Sequence, residues 1–226
     1  MQLTFNLRRP DSYLIEEFIV STCNQHAFET ISQFPRSFGY NPYPSCLLID
    51  GPPSCGKTYL AHIWAHPTHA YFISHHEECT QIDLQNNNYF VVEDINKHWQ
   101  EEKLFHLFNM LTMSGKYLLM TSTNIDKSCC FSLPDLSSRI TSLATIYLEH
   151  PDDSLLHALL FKLFFEEGVV IQQDAISFIL ERMTRRIDLL QKIVVEINNF
   201  ALSRGKCITR RLLQTFWQQY SQEYII

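Results

Sequence analysis

The chain has 226 residues and a formal net charge of −6, with 46% hydrophobic and 13% aromatic residues. This length allows one large domain or two small ones with a proper buried core, so intrinsic disorder is not expected. A mildly acidic chain is poorly suited to strong, independent DNA binding, which depends on neutralising phosphates. We find neither an apolar run of about 18 residues nor a signal-like start. The seven cysteines are scattered, which favours reduced thiols in a cytoplasmic protein.

The first eight residues allow two interpretations. Leu3, Phe5 and Leu7 alternate with polar residues, which is typical of an amphipathic edge strand. The same side chains, together with the amide of Gln2, also suit a linear docking peptide whose apolar residues enter a groove on another protein. The residues alone favour the edge strand.

Residues 9–150 alternate between short apolar runs and amphipathic segments, which predicts an α/β domain with a parallel sheet flanked by helices. Strands are predicted at 46–49, 70–74, 89–92, 116–120 and 144–148. Helices are predicted from about residue 24, from residue 59 until Pro67 stops the helix, at 101–113 and from residue 134.

The sequence changes character near residue 150. Four helical segments are predicted between there and the end of the chain, at 152–167, 174–185, 188–204 and 209–220. Residues 151–226 are therefore predicted to form a small all-α domain that follows the α/β domain.

A phosphate-binding loop of the pattern G-x-x-x-x-G-K-[ST] follows the first strand. It consists of Gly51, Pro52, Pro53, Ser54, Cys55, Gly56, Lys57 and Thr58, and Tyr59 follows it in the helix. Glycine permits the backbone angles that point successive N–H groups at a phosphate, and the helix N-terminus adds its dipole. Lys57 is expected to reach the β- and γ-phosphates, and the Thr58 hydroxyl is expected at Mg²⁺.

Polar residues end two later strands. Glu93 and Asp94 directly follow the apolar run 89–92, where carboxylates can hold Mg²⁺ and orient an attacking water. The alternative is a solvated strand end that caps the next turn. The segment 121–124, which includes Ser122, ends the fourth strand and suits contact with the γ-phosphate or the water, although alone it would be an ordinary turn.

Arg139 lies in the segment Leu-Pro-Asp-Leu-Ser-Ser-Arg-Ile. An arginine at a subunit edge can stabilise charge on a neighbour's γ-phosphate, but a surface salt bridge explains the residue equally well.

His62, His66 and His69 are spaced like metal ligands. Because Pro67 interrupts them and no cysteine or carboxylate completes a site, no metal site is predicted there.

These motifs, in this order, resemble an AAA+ P-loop ATPase with a helical lid, and more closely the DnaA branch of bacterial replication initiators. The run from Phe18 to Ser21, with Asn24, resembles the adenine-side motif of that branch, which implies that Ile19, Val20 and Asn24 contact the nucleotide. The segment ending in Arg139 resembles its arginine-finger segment. The initiator's C-terminal DNA-binding domain is expected to be missing.

The start of the chain is similar to a sliding-clamp-binding peptide, and with this context docking becomes the favoured interpretation of residues 1–8. The combination resembles the Hda-like regulatory inactivators of DnaA. That resemblance implies docking on the DNA-loaded sliding clamp (the polymerase β subunit) through Gln2, Leu3, Phe5 and Leu7, with DNA reached only through the clamp.

The same resemblance implies that ADP or ATP binds with Mg²⁺ at the phosphate loop. Arg139 would then act in trans on ATP bound to DnaA, and the resulting hydrolysis would prevent re-initiation of replication. A homodimer is left open. The alternative is an active AAA+ ATPase, such as a helicase loader or another DnaA-related replication factor.

Three departures from the family pattern make efficient hydrolysis by the chain's own site doubtful. The usual pair of strand-end acids begins with Asp, whereas here the order is Glu93-Asp94, and neither assignment of Mg²⁺ leaves a normal base. Ser54 stands where relatives often have glycine. Asp188 falls where the lid's nucleotide-sensing arginine is expected, with Arg185 and Arg186 as candidate substitutes.

Overall fold

A computed structural model describes residues 13–33, 38–39, 42–126 and 131–220 of the chain. The docking peptide predicted at Gln2–Leu7 lies outside these residues. Within them, five parallel strands form one sheet in the order β2-β3-β4-β1-β5. The strands are β1 Cys46–Gly51, β2 Tyr71–Ile73, β3 Tyr89–Val92, β4 Tyr117–Thr123 and β5 Ala144–Tyr147.

Helices connect the strands and cover both faces of the sheet. They are α1 Gln25–Ser32, α2 Lys57–Thr68, α3 Glu101–Met113 and α4 Pro134–Thr141. Because side chains alternate along a strand, Leu47 and Ile49 of β1 pack into one core with Trp64 of α2, while Leu48 packs into the opposite core with Phe108 of α3. Every residue of β1 is buried, as expected for a strand with neighbours on both sides.

The described residues that follow β5 form four helices with a hydrophobic core of their own. These helices are α5 Asp153–Glu166, α6 Gln173–Leu180, α7 Ile187–Ser203 and α8 Arg210–Tyr220. Their core is centred on Phe164, Ile197 and Phe216, all of which are 1% exposed or less. We call this helical part the lid. None of the described helices is long and apolar enough to cross a bilayer.

The predicted fold class is confirmed, but several element boundaries differ, including those of α2, β4 and α6. Helix α2 runs past Pro67 to Thr68, because a proline this close to the helix end removes only one backbone hydrogen bond, and His69 then ends the helix at φ 51°. Strand β4 extends to Thr123, because it stays paired with β1 as far as Gly51. Helix α6 ends at Leu180, before the predicted residue 185.

Candidate nucleotide-binding site

The phosphate loop joins the end of β1 to the start of α2. A Cβ on Gly51 would lie 2.7 Å from the backbone oxygen of Leu148, so this position has no room for a side chain. Gly56 has φ 103° and Ser54 has φ 56°, which are left-handed backbone conformations. The loop therefore has the tight, glycine-dependent geometry from which backbone N–H groups can surround an anion.

The Lys57 ammonium lies inside this loop. Its Nζ donates hydrogen bonds to the backbone oxygens of Gly51, at 2.9 Å, and Pro52, at 2.7 Å, and the residue is 7% exposed. Burial raises the pKa of the Cys55 thiol, against the opposing effect of the Lys57 charge. The loop thus has a buried positive charge, and the adjacent thiol stays protonated.

Thr58 and Glu93 meet where α2 begins and β3 ends. The Thr58 hydroxyl donates to Glu93 Oε1 at 2.7 Å. A parallel sheet brings these two points together, because its ligand-binding edge is formed by the carboxyl ends of the strands. A hydroxyl and a carboxylate oxygen are ligands that suit Mg²⁺. The geometry therefore favours Glu93 over Asp94 for the Mg²⁺ role.

Asp94 is engaged by other groups. Its Oδ1 lies 3.0 Å from Lys97 Nζ and accepts a hydrogen bond from the Thr123 hydroxyl at 3.0 Å. Its N–H donates to the Thr121 hydroxyl, and its φ of 48° is unusual for a non-glycine residue. These contacts attach the carboxylate to the end of β4 and pair its charge, so it is poorly placed to act as a base.

The Ser122 hydroxyl, predicted to contact the nucleotide, forms a hydrogen bond within the sheet. It donates to Asp50 Oδ1 at 2.7 Å, and the two residues are 0% and 5% exposed. Asp50 Oδ1 also accepts from the N–H of Ile125 at 3.1 Å. Ser122 and Asp50 are register partners in β4 and β1, so their bond holds the strand from which the phosphate loop emerges.

The segment predicted to meet the adenine lies against the phosphate loop. A Cβ at Gly56 would lie 3.9 Å from Phe18, and the Phe18 ring packs 5.2 Å from that of Tyr59. Asn24 is only 3% exposed; it donates to the Ile19 carbonyl at 3.0 Å and accepts from the Ser21 N–H at 2.8 Å. The two hydrogen bonds of Asn24 thus stabilise the conformation of this segment. The contact between Phe18 and the phosphate loop was not predicted from the sequence.

Asp152 joins this adenine-side segment to the lid. It caps α5 by accepting from the Leu155 N–H at 2.7 Å, and it also accepts from the hydroxyls of Ser21 and Thr22. Burial alone would raise the pKa of Asp152, but these hydrogen bonds outweigh burial and lower the pKa to about 2. Asp152 was predicted as the first residue of a helix, and an Asp at a helix start is typical of an N-cap. Its bonds to the hydroxyls of Ser21 and Thr22 were not predicted from the sequence.

Arg139 is half-buried against its own domain. Its Nη1 donates to the Tyr43 hydroxyl at 2.8 Å, and its guanidinium carbon lies 5.1 Å from the centre of the Phe105 ring. Its Nε is buried without a hydrogen-bond partner among the described residues. These contacts hold the planar group in a defined orientation at the last turn of α4, unlike a solvated surface ion pair.

Asp188 lies in the first turn of α7 in the lid. Its two carboxylate oxygens accept from Arg186 Nε at 3.1 Å and Nη2 at 2.5 Å. The pKa of Asp188 is lowered, first by the bond from Arg186 and further by one from the Ser54 hydroxyl. Arg185 pairs instead with Asp153 at 2.9 Å. Both arginines proposed as substitutes for the sensing arginine are therefore bound to carboxylates.

Comparison with known proteins agrees with this architecture, although no protein-family model matches the chain. The chain is 26% identical to the chromosomal replication initiator protein DnaA of Lactobacillus helveticus over an alignment 232 positions long, which covers 88% of this chain and 49% of that protein. It spans about half the length of the curated relatives it matches.

Solved structures show the same fold. Domain III of the Thermotoga maritima replication initiation protein DnaA matches with a TM-score of 0.72 at 18% identity, covering 94% of this chain and 98% of that one. Aquifex aeolicus DnaA bound to AMPPCP matches with a TM-score of 0.65 at 19% identity, covering 84% and 66%. The fold is that of an AAA+ P-loop domain. In sequence, the chain is similar to DnaA.

Proposed function

We propose that this protein regulates bacterial DNA replication initiation, by docking on the DNA-loaded sliding clamp and stimulating in trans the hydrolysis of ATP bound to DnaA. The nucleotide bound at its own phosphate loop would serve to shape the domain rather than to be hydrolysed. The observation that carries this proposal is the division of roles between Glu93 and Asp94. Glu93 faces Thr58 as a Mg²⁺ ligand should, whereas Asp94 is paired with Lys97 and Thr123.

The ligand we propose for the loop is ADP or ATP with Mg²⁺. The buried ammonium of Lys57, the helix N-terminus and the Thr58–Glu93 pair suit a phosphate–Mg²⁺ group. The related Aquifex protein was solved with AMPPCP, which is a nucleotide analogue. Ile19, Val20 and Asn24 are the proposed base-side residues, and Val20 is 44% exposed and therefore accessible.

Arg139 is the residue we propose to act on DnaA. A trans-acting arginine must reach the partner's phosphate in a fixed orientation, because the stabilised charge develops at one place. The Tyr43 hydroxyl and the Phe105 ring restrict the guanidinium in that way. Sequence similarity to DnaA also supports the proposal that this chain contacts DnaA.

Clamp docking is proposed for Gln2, Leu3, Phe5 and Leu7, which lie outside the described residues. It is supported by their pattern of one amide followed by spaced apolar side chains. The net charge of −6 is compatible with DNA contact made through the clamp rather than by this chain.

An ATPase assay of DnaA, with and without this protein and DNA-loaded clamp, tests the proposal. We expect hydrolysis to rise only when both are present. Arg139→Ala should abolish the stimulation while clamp pull-down persists, because the arginine acts on the phosphate and not on docking. Leu3→Ala with Phe5→Ala should abolish both. Stimulation that survives Arg139→Ala would contradict the arginine-finger assignment.

The second candidate function is an active AAA+ ATPase, such as a helicase loader. The intact Thr58–Glu93 contact favours it, because that pair is what a working Mg²⁺ site requires. An ATPase assay of the purified protein alone separates the two candidate functions. Substantial ATP turnover that Glu93→Gln removes would favour the ATPase, whereas negligible turnover favours the regulator.

A further inference from the structure

The first turn of α3 contacts the segment from which α4 begins. Glu101 Oε1 accepts hydrogen bonds from the backbone N–H of Ser132 at 3.0 Å and from the hydroxyl of the same residue at 2.9 Å. Glu101 Oε2 accepts from the N–H of Leu133 at 2.7 Å and lies 2.9 Å from the Ser132 hydroxyl. One carboxylate therefore binds two successive backbone N–H groups directly before α4, through charge-assisted hydrogen bonds.

The sequence of α4 supplies no cap for this end of the helix. Leu133 occupies the N-cap position without a side-chain hydrogen bond, and Pro134 follows as the first helical residue. Glu101 instead binds the N–H groups that directly precede the helix, and it does so from α3. The helix dipole also favours a carboxylate near this end. The contact therefore fixes the start of α4 relative to α3.

Helix α3 also contacts the other end of α4. The Phe105 ring, one turn after Glu101, has its centre 5.1 Å from the guanidinium carbon of Arg139. Tyr43, whose hydroxyl accepts from Arg139 at 2.8 Å, packs edge-on against Phe108 with the ring centres 5.0 Å apart. Positions 101, 105 and 108 share one face of a helix. One face of α3 thus supports the start of α4, the guanidinium and the tyrosine that binds it.

The hydrogen bonds to Glu101 add a directional contact to the apolar packing of α4. With only eight residues, this helix is too short for its own hydrogen bonds to fix its orientation. Leu136 and Ile140 are 0% exposed and pack into the core, but apolar contacts are not directional, whereas hydrogen bonds are. Because Arg139 lies in the last turn of α4, a shift of the helix start would move its guanidinium.

We propose that Glu101 is a positioning residue for Arg139, which holds α4 where the guanidinium can reach the phosphate of a nucleotide bound to the partner. Glu101 itself contacts neither the partner nor its nucleotide. The inference rests on the proposed function, in which Arg139 acts on ATP bound to DnaA, and it adds a residue on which the placement of the arginine depends.

Stimulation of DnaA's ATP hydrolysis, measured as the full chain is titrated onto DNA-loaded clamp, tests this role. Glu101→Ala should lower the maximal stimulation about tenfold, because a small misplacement of a charge-stabilising group costs this much or more. The concentration that gives half of the maximum should change by less than about threefold, because docking depends on other residues. Glu102→Ala is the matched control, since Glu102 is an exposed acid in the same turn of α3. It should leave both values unchanged.

Two further variants separate positioning from a general defect in folding. Glu101→Gln keeps the side-chain length and one acceptor oxygen, so it should lose only about threefold of the stimulation, and it serves as the test if Glu101→Ala does not fold. Adding Glu101→Ala to Arg139→Ala should cause no further loss, because Glu101 acts through the arginine. Binding of MgADP should be unchanged in Glu101→Gln, whereas misfolding would weaken it.

The outcomes distinguish the positioning role from the proposed function. If the native chain does not stimulate DnaA, or if Arg139→Ala stimulates as well as the native chain, the proposed function is refuted and the role of Glu101 with it. If Arg139→Ala abolishes stimulation but the Glu101 variants match the native chain, or Glu102→Ala loses as much as they do, the positioning role is refuted and the proposed function stands. A raised half-maximal concentration at an unchanged maximum would mean that Glu101 contacts the partner, which also overturns its assigned role.

Discussion

Replacing Ser122 by alanine separates two roles for the end of β4. If Ser122 contacts the nucleotide, the substitution should weaken nucleotide binding. If it holds Asp50 within the sheet, the substitution should lower the free energy of unfolding instead. The structure favours the second role, because the Ser122 hydroxyl donates to Asp50 Oδ1 at 2.7 Å and is fully buried.

The size of the effect follows from what the substitution leaves behind. A hydrogen bond to a charged group contributes about 1.5–3 kcal/mol to stability. After Ser122→Ala the buried carboxylate of Asp50 retains the N–H of Ile125 as a donor at 3.1 Å, so its loss of partners is partial. We therefore expect the free energy of unfolding to fall by about 2 kcal/mol.

Urea unfolding followed by circular dichroism measures this loss, with Ser177→Ala as the control. Ser177 is an exposed residue of α6, and its replacement should change stability by less than about 0.5 kcal/mol. Nucleotide affinity, measured where both variants are folded, should change by less than about threefold. Unchanged stability together with an affinity lowered about tenfold would refute the structural role of Ser122.

Four other substitutions test the site at separate points. Tyr43→Phe removes the acceptor for Arg139 and should lower stimulation of DnaA hydrolysis about tenfold, with clamp pull-down unchanged. Glu93→Gln should weaken nucleotide binding in Mg²⁺ but not in EDTA, whereas Asp94→Asn should change neither titration. The wild type should lose stability as pH falls from about 4 to about 2, because protonation of Asp152 removes contacts that its low folded-state pKa reflects. Asp152→Asn should flatten that part of the urea-unfolding profile.

The sequence predicted the fold because its signals are local. Each strand of the sheet is an apolar run of a few residues, and the loop from Gly51 to Thr58 carries its motif in consecutive positions. The meeting of Thr58 and Glu93 could also be anticipated, because parallel strands place their carboxyl ends at one edge. The end of a strand could not be predicted where pairing with a neighbouring strand decides it, as at the end of β4.

The contacts that orient the site were not predictable, because each joins residues far apart in the chain. Ser122 and Asp50 are 72 positions apart, and Arg139 and Tyr43 are 96 apart. Ser21 and Asp152 are separated by 131 positions. A tyrosine in a loop or an aspartate at the start of a helix gives no local sign of its distant partner, since packing of whole elements brings the two together.

Asp152 and Lys162 of the lid both contact the segment that precedes α1, and their positions bear on what a nucleotide could change. Asp152 accepts a hydrogen bond from the hydroxyl of Ser21, and Lys162 Nζ lies 3.4 Å from Glu17 Oε2. Both contacts therefore involve the predicted base side of the site. A nucleotide whose base displaces this segment would change the lid contacts at Asp152 and Lys162. Nucleotide occupancy would thereby be expressed as lid orientation, which suits a protein whose proposed chemistry takes place in its partner.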